Sequence, residues 1–372
     1  MKIVVAPCGI RERMTPKEMA DHIEKGIRRA APEAEIKLYP LLKGDDPLEQ
    51  LTAFGGTLIE ADASDPLGRS IKASYGVFRD KFTLIDLKQA SGLGRLTEEE
   101  RNPLLTSTFG TGQLILDALD RGLREFFIFT KGTATNDGGI GILSAIGYRF
   151  FGSDGESVPL NGKGLYAIRS IDEKSADERL KECSFTLVTD YINLYSGVRG
   201  IAYGYGPLKG ASPLMVQSLD RGLRNYAIEV EKATGVDVEK IRGTGAGGGT
   251  GAGLVAFLKA DIISFVEAFR IITGADDDIR SADLVITGAG KAGSLDKIHK
   301  GMMATAQMSQ RNHIPLVGLF GYLDDNYNEL YTRGFSGIYA LYNDKNPTDI
   351  QWDKAGMLLE RMSEAVVQLT ME

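Results

Sequence analysis

Thr133, Thr135, Asn136 and Asp137 stand together between Gly132 and the pair Gly138-Gly139. Hydroxyls, an amide and a carboxylate in so short a stretch can serve a phosphate, its metal or a polyol, and the flanking glycines let the backbone come close to such a ligand. The same residues also suit a plain capped turn, with Asn136 or Asp137 as the N-cap. A second candidate is Gly243 to Gly251, where Gly245, Gly247, Gly248 and Gly249 can cradle phosphate or let a helix pack closely. That run contains a formal Gly-x-Gly-x-x-Gly, but the charged stretch Val236 to Arg242 precedes it where a dinucleotide fingerprint needs a strand. Gly290-Lys291 lacks both the upstream Gly and the following Ser or Thr of a Walker A sequence. Asp190 ends an apolar run beside Thr189 and near Asn193, where a carboxylate can take a proton from a substrate hydroxyl, hold Mg²⁺ or simply cap a turn. Lys209 and Lys300 are candidate contacts for phosphate or carboxylate, against the tendency of lone lysines to be solvated. His22, His299 and His313 have no metal-ligand spacing.

The elements that must position these residues follow from the apolar pattern. Glu125 to Phe129 reads as a buried strand, and Ile140, Ile142, Leu143 and Ile146 resume at helical spacing after the polar loop. In an open parallel sheet such a loop opens onto the ligand crevice, and the helix after it presents free N–H groups to an anion. Lys2 to Ala6, a helix from Pro16 to Ala30 capped by Thr15, and Ile36 to Leu42 open the chain as β-α-β. Leu58 to Ala63, Arg69 to Ala73, Tyr75 to Arg79 and Phe82 to Leu87 read as short antiparallel strands. Helices are expected over Gly112 to Leu123, Pro213 to Thr234, Ala252 to Lys259 and Ile262 to Ile272, and buried strands over Phe185 to Val188, Ala282 to Ile286 and Ile314 to Leu319. The late strands match the amino-terminal pattern, which implies an α/β protein with a discontinuous domain of residues 1–55 and 280–372 and an inserted α/β domain of residues 56–279.

At 372 residues the chain is long enough for two domains. Its 45 glycines are clustered between apolar runs, as in an α/β enzyme with backbone-lined loops, and a net charge of −7 argues against a broad nucleic-acid surface. Cys8 and Cys183 stand far apart and suggest no disulfide framework. The first strand begins at once, without a signal-peptide pattern, and no run is long enough to cross a bilayer, so a cytoplasmic protein without membrane partners is expected. The oligomeric state is left open, a homodimer included.

Thr133-Ala134-Thr135-Asn136-Asp137-Gly138-Gly139 resembles the Ser-Ala-Thr-Asn-Asp-Gly-Gly signature of the bacterial type of glycerate kinase. Asp65 to Arg69, Tyr75-Gly76, Ala90 to Leu93, Arg101 to Leu104, Thr106 to Gly112, Tyr205 to Ala211 and Gly243 to Leu254 extend the resemblance in order along the chain. It implies a Rossmann-like discontinuous domain with an inserted α/β domain, an active site in the cleft between them, and ATP- and Mg²⁺-dependent phosphorylation of glycerate or a related small hydroxy acid. In the kinase reading that this supports, the loops at Gly132 to Gly139 and Gly243 to Gly251 are expected to hold phosphates, Asp190 to act as base or Mg²⁺ ligand, Lys209 and Lys300 to neutralise phosphate charge, and Arg11 to clamp the substrate carboxylate.

Several positions depart from the family pattern. Cys8-Gly9-Ile10-Arg11 replaces Asp-Ser-Phe-Lys, Lys43 to Pro47 replaces a longer acidic glycine loop, and the late loop has Ala289 and Gly293 at its two acid positions. Thr130-Lys131 stands where two residues, often glycines, allow close approach. Fewer acids and added cations at Arg11, Lys43 and Lys131 fit a pocket for a more anionic acid, and equally a homologue that binds nucleotide or an acidic metabolite without turnover. Cys8 reads as a small replacement for an acid or as a reactive thiol.

Overall fold

A computed structural model describes residues 1–41, 47–190, 192–293, 300–342 and 352–371. Thirteen strands occur among them: β1 (Lys2–Pro7), β2 (Glu35–Leu38), β3 (Thr57–Ser64), β4 (Ser70–Phe78), β5 (Phe82–Asp86), β6 (Glu125–Phe129), β7 (Arg149–Phe151), β8 (Ser170–Asp172), β9 (Ser184–Val188), β10 (Asp261–Ile263), β11 (Leu284–Ala292), β12 (Leu316–Leu323) and β13 (Gly337–Ala340). Contacts divide the chain into one unit of Met1–Gly44 with Phe269–Glu372 and a second of Asp45–Ala268. The joints thus fall at 44/45 and 268/269, where the sequence pattern placed them at 55/56 and 279/280. Helix Pro47–Ala53 packs on β3, β4 and β5 of the second unit, and helix Ala275–Arg280 packs on helix Lys300–Arg311 of the first.

The first unit is a five-stranded parallel sheet in the order β13-β12-β11-β1-β2. Ile3, Val5, Leu284, Ile286 and Leu319 point into a core shared with helices Pro16–Ala30 and Ala355–Met371, while Val4 and Val285 are buried too, so both faces are covered as a parallel sheet requires. Helix Pro16–Ala30 starts as the sequence dictates: Thr15 and Glu18 form a reciprocal capping box and Pro16 occupies the first turn. Gly26 lets the two helices close, because a Cβ there would overlap the Glu360 carbonyl.

The second unit is a six-stranded mixed sheet, β10-β9-β6-β5-β4-β3, with β10, β9, β6 and β5 parallel and β4 and β3 antiparallel. Its core gathers Tyr75, Ile85, Leu114, Phe126, Ile128 and Leu187 with Leu219, Leu223 and Tyr226 of the long helix Pro213–Thr234.

Three expectations about elements are revised. Arg69 to Arg79 holds one strand, β4, because its pairing with β3 runs unbroken from Ser70 to Val77. The helix expected from Ile262 begins at Phe265, since Asp261–Ile263 first pairs with Thr186 to Val188 as the edge strand. Gly288-Ala289-Gly290, expected in a loop, lies within β11, which stays paired to β12 as far as Ala292.

Candidate functional site

The strand β6 delivers the polar loop directly. Thr133, Thr135, Asn136 and Asp137 are all buried, and the helix after them, Ile140–Ala145, is only 6 residues long. Neither Asn136 nor Asp137 is its N-cap; Gly139 is, in a left-handed conformation and with no side-chain cap. Asp137 instead turns inward. Its Oδ2 accepts hydrogen bonds from the Thr108 N–H and hydroxyl, each 2.7 Å, and its Oδ1 accepts from Gly139 N–H at 3.2 Å. Burial raises its pKa, opposed by those bonds from Thr108 and Gly139. Asn136 is fully buried, and neither end of its amide has a partner among the described residues. An unsatisfied buried amide costs about 1–3 kcal/mol.

The second glycine run lies against this loop. Gly138 N–H donates to the Gly248 carbonyl at 3.1 Å, and a Cβ on Gly248 would overlap the carbonyl oxygen of Thr135. Turns, not a strand, lead from helix Pro213–Thr234 into the run, and helix Thr250–Leu258 follows it, so the setting of a dinucleotide fingerprint is missing.

Between the two loops the second unit has a half-open cavity of about 300 Å³. Gly132, Thr133, Gly245, Gly247 and Gly248 form its polar backbone wall, and Leu93, Ile201, Tyr205, Leu208 and Ala246 an apolar one. An apolar slot with a few convergent polar groups is the usual design of a small-molecule site. Lys209, in the short helical turn Pro207–Lys209, also lines it. It is 7% exposed rather than solvated, and its Nζ donates to Thr135 O at 2.6 Å. Desolvation lowers its pKa to about 7, with the Asp137 charge opposing. Thr135, Asn136, Asp137, Gly138, Gly139 and Gly249 are not among the residues that line the cavity. The apolar half, from Leu93, Ile201 and Leu208, escaped the sequence reading because it comes from three separate segments.

A sequence profile of the Glycerate kinase family matches residues 3–371. The chain belongs to the glycerate kinase family. It is 35% identical over 367 residues to a glycerate kinase of Halalkalibacterium halodurans, covering 98% of this chain and 97% of that one. It is also 35% identical over 344 residues to glycerate 2-kinase of Escherichia coli K12, covering 92% and 90%. A crystal structure titled for glycerate kinase 2 of Salmonella typhimurium LT2 superposes with a TM-score of 0.82 at 32% identity, spanning 100% of this chain and 98% of the other.

In this member of the glycerate kinase family the remaining candidate residues belong to both units. Asp190 is exposed just after β9, and its Oδ1 accepts from Phe265 N–H at 3.4 Å. Arg11 is exposed in the first unit and pairs with Glu12 at 3.4 Å. The side chain of Lys300, the Lys43 to Asp46 segment and Asp296 lie outside the described residues. Cys8 is a partly exposed free cysteine, and burial raises its thiol to about 12, which disfavours a reactive thiolate. Beside Gly293, the space a Cβ would face is held by Asp324, whose Oδ2 pairs with Lys291 at 2.6 Å. Among the described residues no three His, Cys, Asp or Glu side chains gather to hold a metal ion, and no helix is long and apolar enough to cross a membrane.

Proposed function

We propose that this protein transfers the terminal phosphoryl group of ATP to a hydroxyl of glycerate or a closely related small hydroxy acid. The observation that carries the reading is the cavity at the two interlocked glycine loops, in a chain matched along residues 3–371 by the glycerate kinase family. Its apolar wall of Leu93, Ile201, Leu208 and Ala246 suits a nucleoside, and the backbone of Gly132, Gly247 and Gly248 with Lys209 suits its phosphates. The carboxylate of Asp137 is engaged by Thr108 and Gly139, so it works by holding the loop's shape.

Phosphoryl transfer needs an acid to hold the metal or take the hydroxyl proton, cations near the transferred group and a grip on the acceptor. Asp190 is the candidate for the first, Lys209 and Lys300 for the second and Arg11 for the carboxylate of the acceptor. Mg²⁺ is commonly held by one or two carboxylates plus the nucleotide's own phosphates, so an exposed Asp190 fits that mode without an all-protein cage. When bound, the ion supplies charge neutralisation at the phosphates.

The test is ADP release from ATP and Mg²⁺ over a panel of glycerate, longer sugar acids and phosphorylated acids, beside Asp190→Asn. Turnover on one acid, reduced by about 10²–10⁴-fold in the variant, supports the kinase reading and names the acceptor. A flat panel from folded protein that still binds ATP would replace it with a nucleotide-binding homologue without turnover.

A further inference from the structure

The cavity wall of the second unit contains a buried cation without an anion. Lys209 Nζ donates to Thr135 O, and among the described residues no carboxylate lies within ion-pair distance of it. An ammonium has three N–H donors, so two remain beyond the bond to Thr135 O on a residue that lines the cavity. The charged and titratable groups around it do not make up the deficit. Asp137, on the loop after β6, attracts it from beyond ion-pair range, but that carboxylate is already bonded to Thr108 and Gly139. Lys131, on the same loop, and Arg101, whose backbone lies against Gly210, are cations themselves. Tyr205 gives its hydroxyl to Asn193 at 3.0 Å.

A buried ammonium without a counter-ion is costly, so the amine loses its proton near neutrality, where desolvation has lowered its pKa to about 7. A phosphate entering between Gly132, Gly247 and Gly248 brings the missing counter-ion and makes the charged form the favoured one. We propose that Lys209 is the specificity-determining residue of this cavity, selecting a phosphate-bearing nucleotide over the uncharged nucleoside by taking up a proton as the anion enters. The proton comes from solvent onto the Nζ lone pair, and no bond in the ligand is broken. The inference rests on the nucleotide reading above and adds to it the source of anion selectivity.

Calorimetric titration with ADP and with adenosine, in two buffers of different ionisation enthalpy, tests it on the parent, Lys209→Met and Lys209→Arg. Thermal melting first confirms that each variant is folded. The proton count of ADP binding, taken as parent minus Lys209→Met so that the phosphate's own titration cancels, is expected to be about one half near pH 7 and to approach about one near pH 8. Lys209→Met should weaken ADP by about 30-fold and leave adenosine within about twofold, while Lys209→Arg, always charged, should bind ADP without that uptake. Equal proton counts in parent and Lys209→Met, or equal weakening of ADP and adenosine, would overturn the role of Lys209 and leave the nucleotide reading standing. Failure of the parent to bind either compound would overturn both.

Discussion

Lys209 shows what a single buried charge does to a fold as well as to a site. Its pKa in the folded chain, about 7, is below that of a solvated lysine, so the unfolded chain binds the extra proton between about pH 7 and pH 10. Stability therefore rises with pH across that window, and the penalty is present in full below it. Replacing the side chain by Met keeps most of its shape and removes the charge, at the cost of the bond to Thr135 O. Lys209→Met should therefore be more stable than the parent near pH 7, by about 1–3 kcal/mol after the lost hydrogen bond is subtracted. The gain should narrow as the pH is raised toward about 9. Denaturant unfolding at several pH values measures this. A variant less stable than the parent at neutral pH would mean that the amine is charged and paired in the fold. The same comparison separates Lys209 from Asp137, which is also buried but has its carboxylate satisfied by three donor groups and so serves the structure.

At the scale of elements, the site depends on two loops from distant parts of the sequence fitting backbone to backbone. Gly248 is the contact point: its carbonyl accepts from Gly138, its φ of +73° is one that side chains disfavour, and a Cβ would strike Thr135 O. Gly248→Ala should destabilise the second unit by about 2–4 kcal/mol and weaken nucleotide binding at least about tenfold, by pushing the Thr135 carbonyl away from Lys209. Thermal melting and ADP titration read the two effects. Unchanged binding in the variant would show that the loops need not interlock to form the cavity. Composition made both loops legible, because runs of small, polar and left-handed-tolerant residues after a buried strand or before a helix have few other uses. Their contact was not legible, since nothing in either run encodes a partner more than a hundred residues away. Lys209 was undervalued for a related reason: lysines are solvated by default, and its burial follows from the fold around Thr135 and Gly210. Local pattern also misread Asp261–Ile263, which resembles the start of a helix until β9 is available as a parallel neighbour.

At the scale of the whole molecule, the chain order sets what can fold alone. The pairing of β1 with β11 joins Ile3 to Leu284, so the first unit cannot complete its sheet until its carboxyl-terminal segment is present. The alternation of apolar runs at both ends of the sequence made that discontinuity readable, whereas the residues at which the units divide depend on which sheet each bordering helix covers. The second unit has no such debt to distant sequence. The six strands of its main sheet and the β7–β8 pair all lie within Asp45–Ala268, and its core, from Ala61 to Ala260, shares no residue with the core of the first unit. The cavity, with Leu93, Lys209 and Gly248, lies in the same unit. Residues 45–268 expressed alone should therefore unfold in one cooperative transition, and ADP should raise that transition as binding to the folded state requires. The measurement is differential scanning calorimetry of the fragment with and without ADP, beside the full chain. A broad, non-cooperative melt would show that the second core needs the rest of the chain. A cooperative melt that ADP leaves unmoved, while it raises that of the full chain, would move the nucleotide site out of the cavity walled by Leu93, Lys209 and Gly248.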